Sequence, residues 1–484
     1  MNPSKGLFFL ERGLYMVKSH IVLQKIYSIS QKAGQPRLFI QNLPCECASF
    51  APGEEIYIWV DEQEKQIHLQ NKPFEGRDEE RVHVSSRTNA TGIRRPLIDT
   101  AKRTFQSIIA IEDKVELLVY RFEDFSRITI SPLKFKFDSM EVTSSLKDQR
   151  IRLLSISAGA GIGTSHFKDT GYYTPVQEIE LEEDSADTLH QNFPNSLVSN
   201  CDIRDCNLAV QSDVALVTLP CNNHSSLGSR TEDMFDNLGI AAAKILIHSK
   251  PQIIFFENVP SYFNSRSFTD LKDLLSTDFP CWTKPINLES YDFGSIAKRD
   301  RSYVVAFKDE DLMMQFRFPS PPKKVKRPKL KSFLEKVEDQ VWKPIDLWNA
   351  SFKAKKEKNN AWADRSTELT FVDEEATLIQ CVPKRYRSQS ASNSYVLSTD
   401  KKSWRFLTVN ELRKIFSISS WFKFSKSTPL LRVYEQIGQS ACGLVFRAFA
   451  NEIARILSKS TLRKGPDKSI MEIDQYGQLT MTLF

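Results

Sequence analysis

IRLLSISAGAGIG, residues 151–163, passes from an apolar strand directly into a glycine-rich turn. Small residues at Ala158, Gly159, Gly161 and Gly163 let such a turn approach a ligand closely, while the helix that follows aims its positive end at it. The turn alone serves many folds, and two carboxylates narrow the reading. Glu180 closes a second strand, Thr174–Leu181, where a doubly wound sheet places the residue that accepts hydrogen bonds from ribose hydroxyls. Asp202 follows a third strand, Ser196–Cys201, in position to contact an adenine. In this order the three features favour a nucleoside ligand.

Outward from this run the same rhythm continues. Val214–Pro220, Gln252–Val259 and Ser302–Phe307 read as further strands, with helix-like segments at Ser185–Phe193 and Leu238–His248. Alternation at this spacing predicts a parallel, doubly wound α/β sheet with helices on both faces. At 484 residues the chain is too long for one ordinary core, and four zones are expected. Residues 1–145 are β-rich, 150–314 form the core, 315–402 break its rhythm, and 403–484 return to it as helices at Thr408–Phe416 and Ser440–Leu457.

The first zone carries a faint internal repeat. RLFIQ followed by PGEEIYIWVDEQEKQIHL is echoed by RPLID followed by IEDKVELLVYRFEDFSRITI. Each copy reads as a strand, a connection and a hairpin, with Arg37–Ile40, Glu55–Val60 and Gln66–Gln70 as strands of the first. The arrangement is similar to swapped-hairpin DNA-binding modules of the AbrB type; a plain β-barrel scaffold satisfies the pattern equally.

Composition sets the class: 41% apolar and 26% charged residues are those of a globular protein. No early stretch has the length or purity of a membrane span or signal peptide, so a cytoplasmic protein with no membrane partner is expected. Eight cysteines without CxxC pairs suggest neither a disulfide framework nor a metal site. The net charge of +6 is concentrated. PPKKVKRPKLK (321–331) holds six cations, including Lys323, Lys324, Lys326 and Arg327, and FKAKKEK (352–358) adds Lys355 and Lys356. Such runs are either solvated faces or phosphate contacts.

The fourth strand delivers Pro220-Cys221-Asn222 to the carboxyl edge of the sheet, which lifts this thiol out of the class of small core cysteines. The fifth ends in Glu257-Asn258-Val259, and Arg299 and Arg301, two apart on an extended segment, face one side. These separated motifs resemble the cytosine-5 DNA methyltransferase family over Ile151–Phe307 and Trp404–Leu457. Phe406–Glu411 and Gln436-Ile-Gly438 resemble its last two motifs.

The resemblance implies S-adenosylmethionine as cofactor, held by Ala158, Gly159, Gly161, Gly163, Glu180, Asp202 and Pro220. It implies Cys221 as a nucleophile adding to carbon 6 of a flipped cytosine. Glu257, Arg299 and Arg301 would polarise the base, and residues 315–402 would be the target-recognition region. Double-stranded DNA is then the substrate of a monomer, and a cognate restriction endonuclease an expected companion. Ser155, Ser157, Asn222, Ala297 and Gln439 depart from the family's usual residues. A binding protein with weak or lost turnover is therefore the alternative reading.

Overall fold

The computed structural model describes residues 19–134, 137–140, 150–220, 238–358, 367–463, 470–473 and 479–482, with side chains described as far as residue 458. The strand Ile151–Ile156 lies at the centre of a mixed sheet. On one side it pairs in parallel with Tyr173–Glu180, and that strand with Leu197–Asn200. On the other it pairs in parallel with Val214–Val217, then Ile253–Asn258. Chain order thus reverses beside Ile151–Ile156, and the carboxyl ends of Ile151–Ile156 and Val214–Val217 flank a crevice, the place where such sheets bind ligands. Asp300–Phe307 closes this half antiparallel to Ile253–Asn258.

Two layers bury the sheet. Leu238–Ser249 and Arg266–Leu275 cover one face through Ala242, Ile245, Leu246, Phe268 and Leu271. The other face receives Gly443–Arg463, whose Val445, Phe446, Phe449 and Ile453 pack on Leu153, Phe255, Tyr303 and Val305. This long helix lies in the C-terminal zone. The interposed region holds a small sheet of four short strands, Lys343–Pro344, Ser403–Arg405, Tyr395–Leu397 and Phe371–Val372.

The N-terminal zone is not a separate bead. Its strand His20–Ser28 pairs in parallel with Leu197–Asn200, so the central sheet runs on into Lys114–Arg121, Ser126–Pro132, Gln66–Gln70, Glu55–Asp61 and Glu80–His83. A second sheet, formed by Ser30–Lys32, Gln35–Gln41, Arg94–Ala101 and Ser85–Thr88, packs with it on one core.

The sequence repeat is visible as an internal two-fold. Ile40 pairs with Ile98, its counterpart in the other copy, and the two hairpins meet antiparallel, with Ile67 opposite Ile130 and Leu69 opposite Ile128. The docking to the core is ionic as well as apolar. Arg95, only 6% exposed, forks onto Glu46 at 2.7 Å and onto Asp187 of the helix Glu183–Asn192 at 2.5 and 2.9 Å.

Candidate cofactor and catalytic site

The turn after Ile151–Ile156 is built from left-handed residues: Ser157 at φ 55°, Gly159 at 56° and Gly161 at 84°. A Cβ on Gly161 would stand 2.6 Å from both Leu189 and Phe193, so close packing as well as φ demands glycine there. Gly163 is tight rather than strained, with Phe446 and Leu216 at 3.2 and 3.3 Å from such a Cβ. Ser155 is buried and shares a 2.8 Å hydrogen bond with Thr164, which accounts for a hydroxyl at that position. Ala158 is partly buried and donates its amide to the Ile179 carbonyl.

Glu180 fastens this turn. Its Oε2 accepts the Gly159 N–H at 2.8 Å and its Oε1 the Glu182 N–H at 2.9 Å. Burial pushes the carboxyl above its ordinary range, and these amides oppose that shift. Each oxygen keeps a lone pair for a further donor. Asp202 accepts the Arg204 N–H and Nε–H, both at 2.9 Å, and the Arg204 side chain holds its carboxyl below the usual range. Asp202 also borders a cavity of about 350 Å³ that Lys25, Lys114, Leu181, Glu183 and Asp205 line with it. Hydrogen-bond acceptors and a close-approach turn fit the nucleoside part of S-adenosylmethionine.

On the other side of the crevice, the chain leaving Val214–Val217 is tied down. Thr218 Oγ1 donates to the Ser157 carbonyl at 3.0 Å, and Asn258 Nδ2 donates to the Leu219 carbonyl at 3.0 Å. Pro220, half-buried, ends this described stretch. Residues 221–237, Cys221 and Asn222 among them, lie outside the described residues.

Glu257 sits at the end of Ile253–Asn258, 3.1 Å from the Nε of Arg301. Burial raises its carboxyl, against the pull of Arg301 and then Arg299. The two arginines divide their work. Arg301 is the ion-pair partner, whereas Arg299, 2% exposed, donates to the Val382 carbonyl at 3.2 Å and the Gly438 carbonyl at 3.1 Å. Its guanidinium thereby ties the interposed region to the last motif, a structural use the motif spacing did not suggest.

The same seam explains two other positions. Ala297 is buried and bridges Ile379. A Cβ on Gly438 would lie 2.3 Å from the Pro383 carbonyl oxygen, so the crossing backbone excludes any side chain. Gln436 donates to Ser185 at 3.4 Å, while Gln439 is exposed.

The basic run is partly spent inside the fold. Arg327 stacks on Tyr291, 3.7 Å from the ring centroid, and donates to the Tyr291 carbonyl at 3.1 Å. Lys329 and Lys331 both pair with Glu375. Lys323, Lys324 and Lys326 are exposed, as are Lys355 and Lys356 on the helix Ile345–Lys358.

The comparisons with known proteins agree with this geometry. A family profile described as C-5 cytosine-specific DNA methylase matches residues 151–455. The chain belongs to that family. S-adenosylmethionine is the family's methyl donor.

Among its relatives, the type II methyltransferase M.Bsp6I of Bacillus sp. (strain RFL6) is 31% identical over 182 residues, covering 35% of this chain and 56% of that protein. The chain thus spans little more than half the length of that relative. M.BsuRI of Bacillus subtilis, another type II methyltransferase, is 22% identical over 389 residues, covering 71% of this chain and 88% of that protein. A methyltransferase of Entamoeba histolytica has the same fold, with a TM-score of 0.51 at 18% identity, over 64% of this chain and 99% of that one. No helix among the described residues is long and apolar enough to cross a membrane.

The site also uses residues that sequence reading passed over. Thr218 carries no motif signal of its own. The carbonyls of Val382 and Gly438 carry none at all, since any residue supplies a carbonyl.

Proposed function

We propose that this chain methylates carbon 5 of a cytosine flipped out of a specific duplex DNA site, with Cys221 as the covalent nucleophile. The observation that carries the reading is the Glu257–Arg301 pair at the crevice, next to a Leu219 carbonyl held by Asn258.

Carbon 5 of cytosine is a poor nucleophile. Addition of the Cys221 thiolate to carbon 6 moves the ring electrons onto carbon 5, and protonation at ring nitrogen 3 relieves the charge that develops. Glu257, whose carboxyl burial biases toward the protonated form, is suited to hold that proton. Arg301 fixes the Glu257 carboxyl and can donate to the base carbonyl. S-adenosylmethionine supplies the methyl group. Glu180 orients its ribose and Asp202 its adenine, while the turn through Gly159, Gly161 and Gly163 leaves room for its chain. With S-adenosylhomocysteine as the leaving group of the transfer, loss of the carbon 5 proton to a water acting as base expels the Cys221 thiolate. Return of the ring nitrogen 3 proton to Glu257 restores the aromatic ring.

Flipping a base costs a few kcal/mol, to be offset by contacts across the duplex. In this reading residues 315–402 supply them, with Lys323, Lys324, Lys326, Lys355 and Lys356 on phosphates. Arg299 serves as a positioning residue that keeps this region against the catalytic half. A partner restriction endonuclease is part of the proposal, on the strength of the type II relatives.

The test is transfer of labelled methyl from S-adenosylmethionine to varied duplex DNA, with bisulfite mapping of the modified position. Label at cytosine carbon 5 within one recurrent sequence is expected. Tight DNA binding with no transfer on any sequence would overturn the enzymatic reading.

A further inference from the structure

The interposed region meets the catalytic half along a seam that ends in a cationic turn. Segment 379–382 runs parallel to 296–299. Ile379 bridges Ala297, donates its amide to the Ile296 carbonyl at 2.7 Å and accepts the Lys298 amide at 3.1 Å. Arg299, whose charge Glu257 also feels, spans the two segments to the Val382 carbonyl at 3.2 Å. One step further on, the catalytic chain presents Arg301 to Glu257. Its neighbour there makes the turn Pro383–Tyr386, closed by the Tyr386 amide on the Pro383 carbonyl at 3.0 Å. Because the two segments are parallel, the Glu257–Arg301 pair and this turn leave the seam at the same end.

Both arms of the turn are fixed. Pro383 lies against Gly438, where a Cβ would stand 2.3 Å from the Pro383 oxygen and 2.9 Å from the Lys384 nitrogen. Tyr386 is fully buried; its hydroxyl donates to the Ser394 carbonyl at 2.8 Å and accepts the Leu407 amide at 3.0 Å. Asn393 Nδ2 donates to the Tyr386 and Ser388 carbonyls at 2.9 and 3.0 Å. Lys384 and Arg385 stand exposed between these anchors. Arg387, two residues on, is spent over the rings of Phe406 and Tyr434, at 4.4 and 5.1 Å from their centroids. Among the described residues the Arg385 guanidinium has no acid, carbonyl or ring against it.

A phosphate contact tolerates a slack mount, since charge alone draws it in. A base contact does not, because the guanidinium fork must meet two acceptors on one base edge. Resting on the DNA methyltransferase reading above, we propose that the Pro383–Tyr386 turn enters the major groove beside the flipped cytosine and that Arg385 reads a guanine there. Its fork donates to guanine O6 and N7, the two acceptors that guanine shows in that groove. Lys384 adds charge beside the same stretch of duplex.

The full chain, Arg385→Ala and Arg385→Lys test this. Each protein selects duplexes by binding from a library randomised over the target site. Methyl transfer is then timed on the selected site and on its single-base-pair variants. Wild-type selections should share a guanine that Arg385→Ala no longer selects. On the wild-type site kcat/KM of that variant should fall on the order of ten- to a hundredfold. Duplexes altered at that one base pair should be methylated as fast by Arg385→Ala as by wild type. Lysine keeps the charge and loses the fork, so Arg385→Lys should not restore the preference. Equal melting temperatures are expected, because Arg385 is exposed.

An unchanged preference in Arg385→Ala overturns the inference. So does a loss by one common factor on every duplex, whether it comes with a shallower salt dependence and rescue by lysine, as for a phosphate contact, or with a lower melting temperature. Methyl transfer absent from the wild-type chain on every duplex overturns the function reading instead, and the binding selection still decides the role of Arg385.

Discussion

Arg301 reaches across from Asp300–Phe307 to Glu257 on the neighbouring antiparallel strand, Nε to Oε1 at 3.1 Å. Burial raises the Glu257 carboxyl and the arginine lowers it, so the proton affinity of this acid is set by a balance. Removing the cation in Arg301→Ala leaves burial less opposed, and Glu257 then keeps its proton to higher pH. The limb of the kcat/KM–pH profile belonging to this carboxyl should move upward. Movement downward would contradict the assignment. Glu257→Gln should lower kcat by about 10²- to 10⁴-fold, as expected for loss of a positioned acid, with DNA binding retained.

Cys221→Ser should leave no measurable methyl transfer while duplex binding persists, because a hydroxyl at ordinary pKa does not add to carbon 6. A mechanism-based trap such as 5-fluorocytosine in the target site should give a covalent complex with the wild-type chain and none with the variant. Activity in the variant would remove Cys221 from the mechanism.

Arg95 joins the N-terminal zone to the core through Glu46 and Asp187. Asp187 is 5% exposed, so Arg95→Ala strands a buried carboxylate, at a cost of about 3–5 kcal/mol. Urea unfolding should show a correspondingly lower midpoint. A change below about 1 kcal/mol, the scale of exposed pairs, would mean that Asp187 is solvated when its partner is gone.

Glu178 lies on the same strand as Glu180, fully buried, with Ser196 and Lys168 only partly opposing the effect of burial. Burial pushes its pKa from 4.5 up to about 8. The folded chain therefore holds a proton that the unfolded chain has released. Its contribution to stability is complete below about 4.5 and falls, by about 1.4 kcal/mol per pH unit, until about 8. Unfolding of Glu178→Gln, measured from pH 5 to 9, should lack this slope. An unchanged slope would assign it to other groups.

Which of these features could be read before the structure follows from how local each one is. The alternation of strands and helices, the Gly159–Gly163 turn, Glu180 and Glu257 are encoded in short segments, and the observed strands fall within a few residues of the expected ones. The repeat is only faintly legible, because, with each segment read without gaps, Ile40, Ile56 and Leu69 have apolar counterparts in Ile98, Val115 and Ile128 whereas Ile67 corresponds to Ser126.

What could not be read are pairings between distant segments. Arg299 is spent on carbonyls 83 and 139 residues away, and its motif gives no sign of it. Arg327 rests on the ring of Tyr291, 36 residues away, a contact the basic run does not announce. The parallel join of His20–Ser28 to Leu197–Asn200 has no sequence signature, since a strand that seeks an edge looks the same whichever edge it finds.

That join bears on how the chain can be divided. Cutting away the first 145 residues would bare the Leu197–Asn200 edge, with unmet amides and carbonyls and with Val198 uncovered, in the middle of what is now one sheet. Bare edges of this kind recruit other chains and seed aggregates. The methylase half, produced alone, should be poorly soluble for reasons unrelated to its chemistry, and its inactivity would say nothing about what the missing half does.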